Sequence, residues 1–83
     1  MSGAFPVGPS LWLTDTRYYI LRVQCDLFGG WELLKAWGGR GNKRGRHQMI
    51  PAAHEAQAID MFERECRRRL RRGYRRVTDS EGH

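Results

Sequence analysis

Residues Tyr18 to Trp37 read YYILRVQCDLFGGWELLKAW, two strand-like runs separated by a turn that ends in two glycines. The first run, Tyr18 to Gln24, is rich in aromatic and β-branched side chains, which favour a pleated, half-buried surface. Alternation puts Tyr19, Leu21 and Val23 on one face and Tyr18, Ile20, Arg22 and Gln24 on the other, and the first set is expected to face the core. Asp26 to Gly30 closes with Gly29 and Gly30, which accept positive φ without a steric penalty, so the chain reverses into a hairpin. In the returning run, Trp31 to Trp37, period two groups Trp31, Leu33, Lys35 and Trp37 against Glu32, Leu34 and Ala36. Both faces hold apolar residues, as expected of a strand that is central or bulged.

Working outward from the hairpin, Leu11 to Thr14 is a short apolar stretch that predicts an edge strand, followed by turn chemistry at Asp15-Thr16. On the other side, GGRGNKRG from Gly38 to Gly45 carries no apolar side chain and predicts an exposed loop. Arg46 to Ile50 then predicts a further strand before Pro51. Over Ala52 to Arg72, Ala56, Ile59, Phe62, Cys66 and Leu70 recur at spacings of three and four, the mark of an amphipathic helix of about five turns. Asp60 to Arg64, Glu63 to Arg67 and Glu65 to Arg69 are acid-before-base i,i+4 pairs worth about 0.2–0.5 kcal/mol each. Gly73 is placed to stop the helix, and Tyr74 with Val77 to return to the core. The expected fold is α+β, a small antiparallel sheet of three to five strands packed against one long amphipathic helix. Residues 1–9 read as a flexible leader, 10–77 as a single domain and 78–83 as a polar tail.

Composition narrows the function classes. The 83 residues carry 15 Lys plus Arg against 9 Asp plus Glu, a net charge of +6, with 40% hydrophobic residues and three each of Trp, Tyr and Phe. A chain of this size builds a modest core, and no deep water-excluding catalytic cleft is expected of it. Cys25 and Cys66 form no C-x-x-C pair, and the three histidines are scattered, so no metal and no cofactor are expected. The start MSGAFPVGPSLWL lacks the basic and long apolar regions of a secretion signal, and no apolar run is long enough to cross a bilayer. A reducing cytoplasmic location, with no membrane partner and no small-molecule substrate, is the expectation.

Two basic clusters carry the chemistry. From Lys35 to Arg46 the chain supplies Lys35, Arg40, Lys43, Arg44 and Arg46 with no acid, on a backbone loosened by four glycines. Clustered charge, backbone donors and little steric bulk are what phosphate contact needs. Trp37 at the loop's edge is suited to stack on a base or sugar, with Gly38 beside it. The second cluster runs along the helix end, where the 100° turn per residue brings Arg68, Arg71, Arg72 and Arg75 near one another. Arginine suits bidentate phosphate recognition. The competing reading of both clusters is a solvated hairpin loop and a charged outer helix face. His47 and His54 have no nucleophile, carboxylate pair or phosphate-binding glycine motif to work with, so no enzyme activity is expected.

A Tyr-Tyr-x-Leu strand, a hairpin leading to W-x-L-x-x-x-W-G, a Gly- and Arg-rich loop, a charged helix and a closing R-G-Y together resemble the WGR domain. The matching residues are Tyr18-Tyr19-Ile20-Leu21, Leu27-Phe28-Gly29-Gly30-Trp31, Trp37-Gly38-Gly39-Arg40-Gly41 and Arg72-Gly73-Tyr74. The similarity spans about Thr16 to Arg76 and is nearest to short bacterial proteins made of this domain alone. The same module occurs in the DNA-damage-sensing poly(ADP-ribose) polymerases, where it helps bind broken DNA ends and contacts neighbouring domains. The resemblance implies an antiparallel sheet on one helix and nucleic-acid contact through the motif Trp, here Trp37. Gly38 takes the motif Gly position, whereas Gly39 stands where the family has Arg, with Arg40 one residue later. The expected function is therefore a nucleic-acid-binding module of low sequence specificity, with DNA favoured over RNA and ends, nicks or single strands as targets. Its site residues are Trp37, Gly38, Arg40, Lys43, Arg44, Arg46, Arg68, Arg71, Arg72 and Arg75. The alternative is a protein-docking or regulatory module.

Overall fold

Trp12, Leu21, Leu33, Phe62 and Cys66 are the largest fully buried side chains, and they sit between one sheet face and one helix. In this computed structural model residues 8–41 and 44–77 are described. Strands β1 (Ser10–Leu13), β2 (Arg17–Cys25), β3 (Trp31–Gly39) and β4 (Gly45–Ala52) are followed by helix α1 (Glu55–Arg71) and strand β5 (Arg75–Val77). The sheet is antiparallel with order β4-β3-β2-β1-β5. The chain is thus α+β, with α1 linking the two sheet edges across one face.

The hairpin forms at the expected place. Asp26 Oδ1 accepts hydrogen bonds from the backbone N–H groups of Phe28 and Gly30, both at 2.8 Å, and Gly29 adopts a φ of +82°. The register then pairs Tyr19 with Trp37 and Val23 with Leu33, which places the expected core face of β2 beside Leu33. β3 is central, between β2 and β4, and this explains its two apolar faces. β1, expected at an edge, is interior, because the three residues of β5 pair outside it. Trp12 consequently fills the core with 0% exposure, its Nε1 donating to the buried Ser10 Oγ at 3.1 Å.

The loop expected over Gly38–Gly45 is shorter than the composition implies. Gly38 and Gly39 finish β3, Gly45 begins β4, and Gly38 pairs with Gly45. The reason lies on the face away from the helix. A Cβ on Gly38 would stand 2.9 Å from Tyr18 Cε1, and one on Gly45 would collide with the Tyr18 hydroxyl. The two glycines form a slot across β3 and β4 into which the Tyr18 ring lies flat against the sheet.

Helix α1 begins three residues later than the periodicity suggests, because Pro51 and Ala52 complete β4. His54 is the N-cap, its Nδ1 accepting from Gln57 N at 3.2 Å, while the Gln57 side chain accepts in return from Ala53 N. The imidazole caps the helix in place of the usual hydroxyl, and the reciprocal bond reaches the N–H of the residue before the N-cap rather than that of the N-cap itself, as it would in a capping box. The buried face of the helix is Ala58, Phe62, Glu65, Cys66 and Arg69. Ala56 and Leu70, expected in the apolar stripe, are exposed. The buried face instead takes in Glu65 and Arg69, with Glu65 pairing Lys35 at 3.2 Å and lying 3.9 Å from Arg69. At the other end Gly73, φ +87°, donates to Leu70 O at 3.1 Å and Tyr74 donates to Arg69 O at 2.9 Å, a Schellman stop that turns Tyr74 back over the sheet. Burial pushes the Cys66 thiol up to about 11.

Candidate nucleic-acid interface

One end of the sheet gathers the β1–β2 turn, the start of β2, the end of β3 and the last turn of α1. The turn is built by Thr14, whose Oγ1 accepts from Arg17 N at 2.9 Å and Thr16 N at 3.3 Å. Between these elements lies an open pocket of about 630 Å³, with Thr14, Thr16, Arg17, Arg69 and Arg72 as its polar wall and Tyr19, Trp37 and Tyr74 as its aromatic one.

The aromatic wall is ordered by the fold. Tyr19 and Trp37 are cross-strand partners on the helix side, and their rings stack with centroids 5.6 Å apart and planes 14° from parallel. Tyr74, delivered by the Schellman turn, meets Tyr19 edge-on at 6.0 Å. The guanidinium of Arg69 sits 4.0 Å above the Tyr19 ring centre and 5.1 Å from that of Tyr74, a geometry in which ring quadrupoles attract a cation. Behind it Glu65 is shared among Lys35 at 3.2 Å, Arg68 at 3.2 Å and Arg69 at 3.9 Å. Arg69 is thus the inner cation of the pocket, held by a carboxylate on one side and two rings on the other, while its Nε stays buried without a hydrogen-bond partner among the described residues.

The residues singled out from sequence distribute unevenly over this site. Trp37, Gly38 and Arg72 line the pocket. Arg40 lies at its rim: its backbone N–H donates to Thr16 O at 2.8 Å and its Nη1 to Thr14 O at 3.0 Å. Arg46 is the cross-strand neighbour of Trp37 and so faces the same side. Arg44, exposed, immediately precedes β4. Arg71 is exposed in the last helical turn, and Arg68 is half-exposed in its pair with Glu65. Arg75 pairs with Leu13, and alternation puts it on the opposite sheet face from Trp12 and Trp37. Lys43 falls outside the described residues. Lys35, counted in the loop cluster, is a buried partner of Glu65 and points under the helix.

Arg17, Tyr19, Thr14, Thr16, Arg69 and Tyr74 complete the pocket, and the sequence alone does not mark them as site residues. For Tyr19 and Arg69 a signal exists, since alternation puts Tyr19 on the helix side and Glu65 to Arg69 is an i,i+4 pair. Their meeting at the sheet's end depends on the pairing of β2 with β3 and on the angle at which α1 crosses, and neither is written locally.

The sequence profile of the WGR domain matches residues 13–81, nearly the whole chain. The chain belongs to the WGR domain family. This WGR domain places its Trp37-Gly38 dipeptide at the pocket, and the Arg40 side chain folds back onto Thr14. The family is associated with nucleic-acid binding in proteins of the poly(ADP-ribose) polymerase type, and the WGR domain itself is a binding rather than a catalytic module. No curated protein and no solved structure gives a significant match. Among the described residues, no helix is long and apolar enough to cross a membrane and no group of His, Cys, Asp or Glu is arranged to hold a metal ion.

Proposed function

We propose that this WGR domain binds nucleic acid, with DNA favoured over RNA, through the arginine-bearing aromatic pocket at the end of the sheet. The observation that carries the reading is the convergence of Arg17, Arg40, Arg69 and Arg72 around the exposed part of Trp37, from separate segments of chain. Such a cluster suits a phosphodiester strand because exposed Arg17 and Arg72 offer guanidinium forks to its oxygens, Arg40 and the inner Arg69 add positive charge, and the hydroxyls of Thr14 and Thr16 add neutral donors. Trp37 offers a stacking surface that does not distinguish bases, which supports low sequence specificity and a preference for ends, nicks or single strands. Arg44 and Arg46 on one flank, and Arg68 and Arg71 on the other, extend the positive surface; Lys43, proposed from sequence for the same role, lies outside the described residues. Arg75, on the far sheet face, is left for a strand that wraps the β1–β5 edge. No chemical step is assigned to the module. Two free thiols, Cys25 and Cys66, suit the reducing cytoplasm, and a bacterial origin rests on the likeness to short WGR proteins.

The test is anisotropy of labelled oligonucleotides over a salt series, comparing an open-ended duplex, a closed dumbbell, single-stranded DNA and RNA. Saturable binding that weakens with a log–log salt slope of about −0.9 for each duplex phosphate engaged is the expected result. Absence of binding at low salt to all four would overturn the proposal and leave protein docking as the function of the module.

A further inference from the structure

At the far end of β2 from the pocket, the hairpin tip exposes Leu27 to 97% and Phe28 to 95%. Laxity of the turn does not account for this exposure. Asp26 N donates to Gly30 O at 2.8 Å, Gly29 N to Asp26 O at 3.3 Å, and two more backbone N–H groups bond Asp26 Oδ1, so the loop holds Leu27 and Phe28 out in a defined pose. The electrostatics of this end are the reverse of the other. Residues 24–34 contain Asp26 and Glu32 and no Lys or Arg in a chain of net charge +6, whereas the pocket end concentrates Arg17, Arg40, Arg69 and Arg72. Tyr19 at the pocket and Cys25 beside the tip lie about 20 Å apart along β2, so one copy cannot fill its own pocket.

We propose that the Leu27–Phe28 tip of one copy seats in the arginine-bearing aromatic pocket of a second copy, a head-to-tail contact. Phe28 enters against the exposed parts of Trp37 and Tyr74 in a pocket of about 630 Å³, ample for one aromatic ring, with buried Tyr19 as backing, while Asp26 and Glu32 face the arginines of the rim. The acidic flank of the tip argues for this occupant over an anionic membrane, which would repel it. The contact joins two different surfaces, so it is heterologous and leaves the pair one unused tip on one chain and one unused pocket on the other, from which a ring or an open filament grows. If the pocket is also the nucleic-acid site, a dependence that rests on the proposed function, oligonucleotide and neighbouring copy exclude each other.

Sedimentation velocity of the full chain from low micromolar to millimolar concentration tests the contact, with circular dichroism confirming the fold of each variant. The wild type assembles beyond a dimer as concentration rises. Phe28→Ser, which lacks the tip anchor, and Arg72→Glu, which lacks the rim charge, each weaken association about tenfold or more. Mixed one to one, the two variants form a discrete dimer, because the intact tip of one meets the intact pocket of the other. A wild type monomeric at millimolar concentration, a Phe28→Ser protein that assembles like wild type, or a mixture that fails to dimerise would each overturn the proposal, the last by pointing to a tip-to-tip contact. A single-stranded oligonucleotide added to the assembled wild type dissolves it. Assembly that persists with no oligonucleotide bound would defeat the nucleic-acid reading and leave the head-to-tail contact standing.

Discussion

Replacing Glu65 with Gln removes the carboxylate that three cations share, and the structure allows the cost to be worked out. Glu65, Lys35 and Arg69 have side chains only 12%, 13% and 10% exposed, so the two cations cannot regain full hydration when the acid is gone. Breaking a buried pair by deleting one partner costs about 3–5 kcal/mol, because an uncompensated charge stays behind. The Arg68 interaction, with that side chain 51% exposed, adds little to this. For a domain of this size 1 kcal/mol moves Tm by about 4–8 °C, so Glu65→Gln should lower Tm by about 12 °C or more and shift the urea midpoint with an unchanged slope. Lys35→Met, Glu65→Leu and Arg69→Met together, which replace the whole buried cluster with hydrocarbon, should recover most of the loss, whereas Lys35→Met with Glu65→Leu alone leaves Arg69 without its acid and should recover only part of it. The consequence reaches the pocket. Without Glu65, Arg69 is held over Tyr19 and Tyr74 by the rings alone, and oligonucleotide affinity should fall even at temperatures where the variant is folded. A Glu65→Gln protein within about 1 kcal/mol of wild type would refute the reasoning, since it would mean that water already solvates the cluster.

The other predictions are shorter. Arg17→Gln with Arg72→Gln should flatten the salt dependence of duplex binding by about 0.9 in log–log slope for each phosphate no longer engaged, and an unchanged slope would move the site off the pocket. Trp37→Ala should weaken oligonucleotide binding by about 1–3 kcal/mol. Trp37 also packs on the core through Tyr19, so urea melting of the same variant should show a stability loss as well, and unaltered affinity in the folded protein would rule out stacking. Gly38→Ala should cost about 1–3 kcal/mol by pushing the Tyr18 ring out of its slot, read as a Tm drop that Tyr18→Ala partly relieves; an unchanged Tm would mean that the ring has room. Cys66, with its thiol at about 11 against an ordinary 9.0, should resist alkylation at pH 8 while exposed Cys25 reacts. Because the folded pKa is the higher one, the Cys66 thiol contributes no pH dependence below about pH 9. As pH climbs from 9 to 11 the unfolded chain ionises first, and the Cys66 contribution lowers stability by up to about 3 kcal/mol, which Cys66→Ala should abolish in a urea series.

What can be read along the chain is whatever a single element decides for itself. Tyr19, Leu21 and Val23 alternate regardless of their neighbours, the Gly29 turn needs its own φ, and the Gly73 stop needs only the helix before it. The departures all come from pairings between distant segments. β1 reads as an edge because the three residues of β5 are too short and too rich in arginine to announce a strand; they become one only because Leu11 to Leu13 present an unpaired backbone to them. Gly38 and Gly45 look like loop glycines because composition cannot tell a flexible glycine from one that makes room for a ring, and the ring belongs to Tyr18, on another strand. The helix shows the same limit in charge. Apolar spacing favours Ala56 and Leu70, yet the face that meets the sheet carries Glu65 and Arg69, since Lys35 arrives from β3 to neutralise one and Tyr19 from β2 to cover the other. A basic run read alone is a solvated surface. Here one of its arginines is internal, and that arginine carries the stacked rings which make the end of the sheet a pocket.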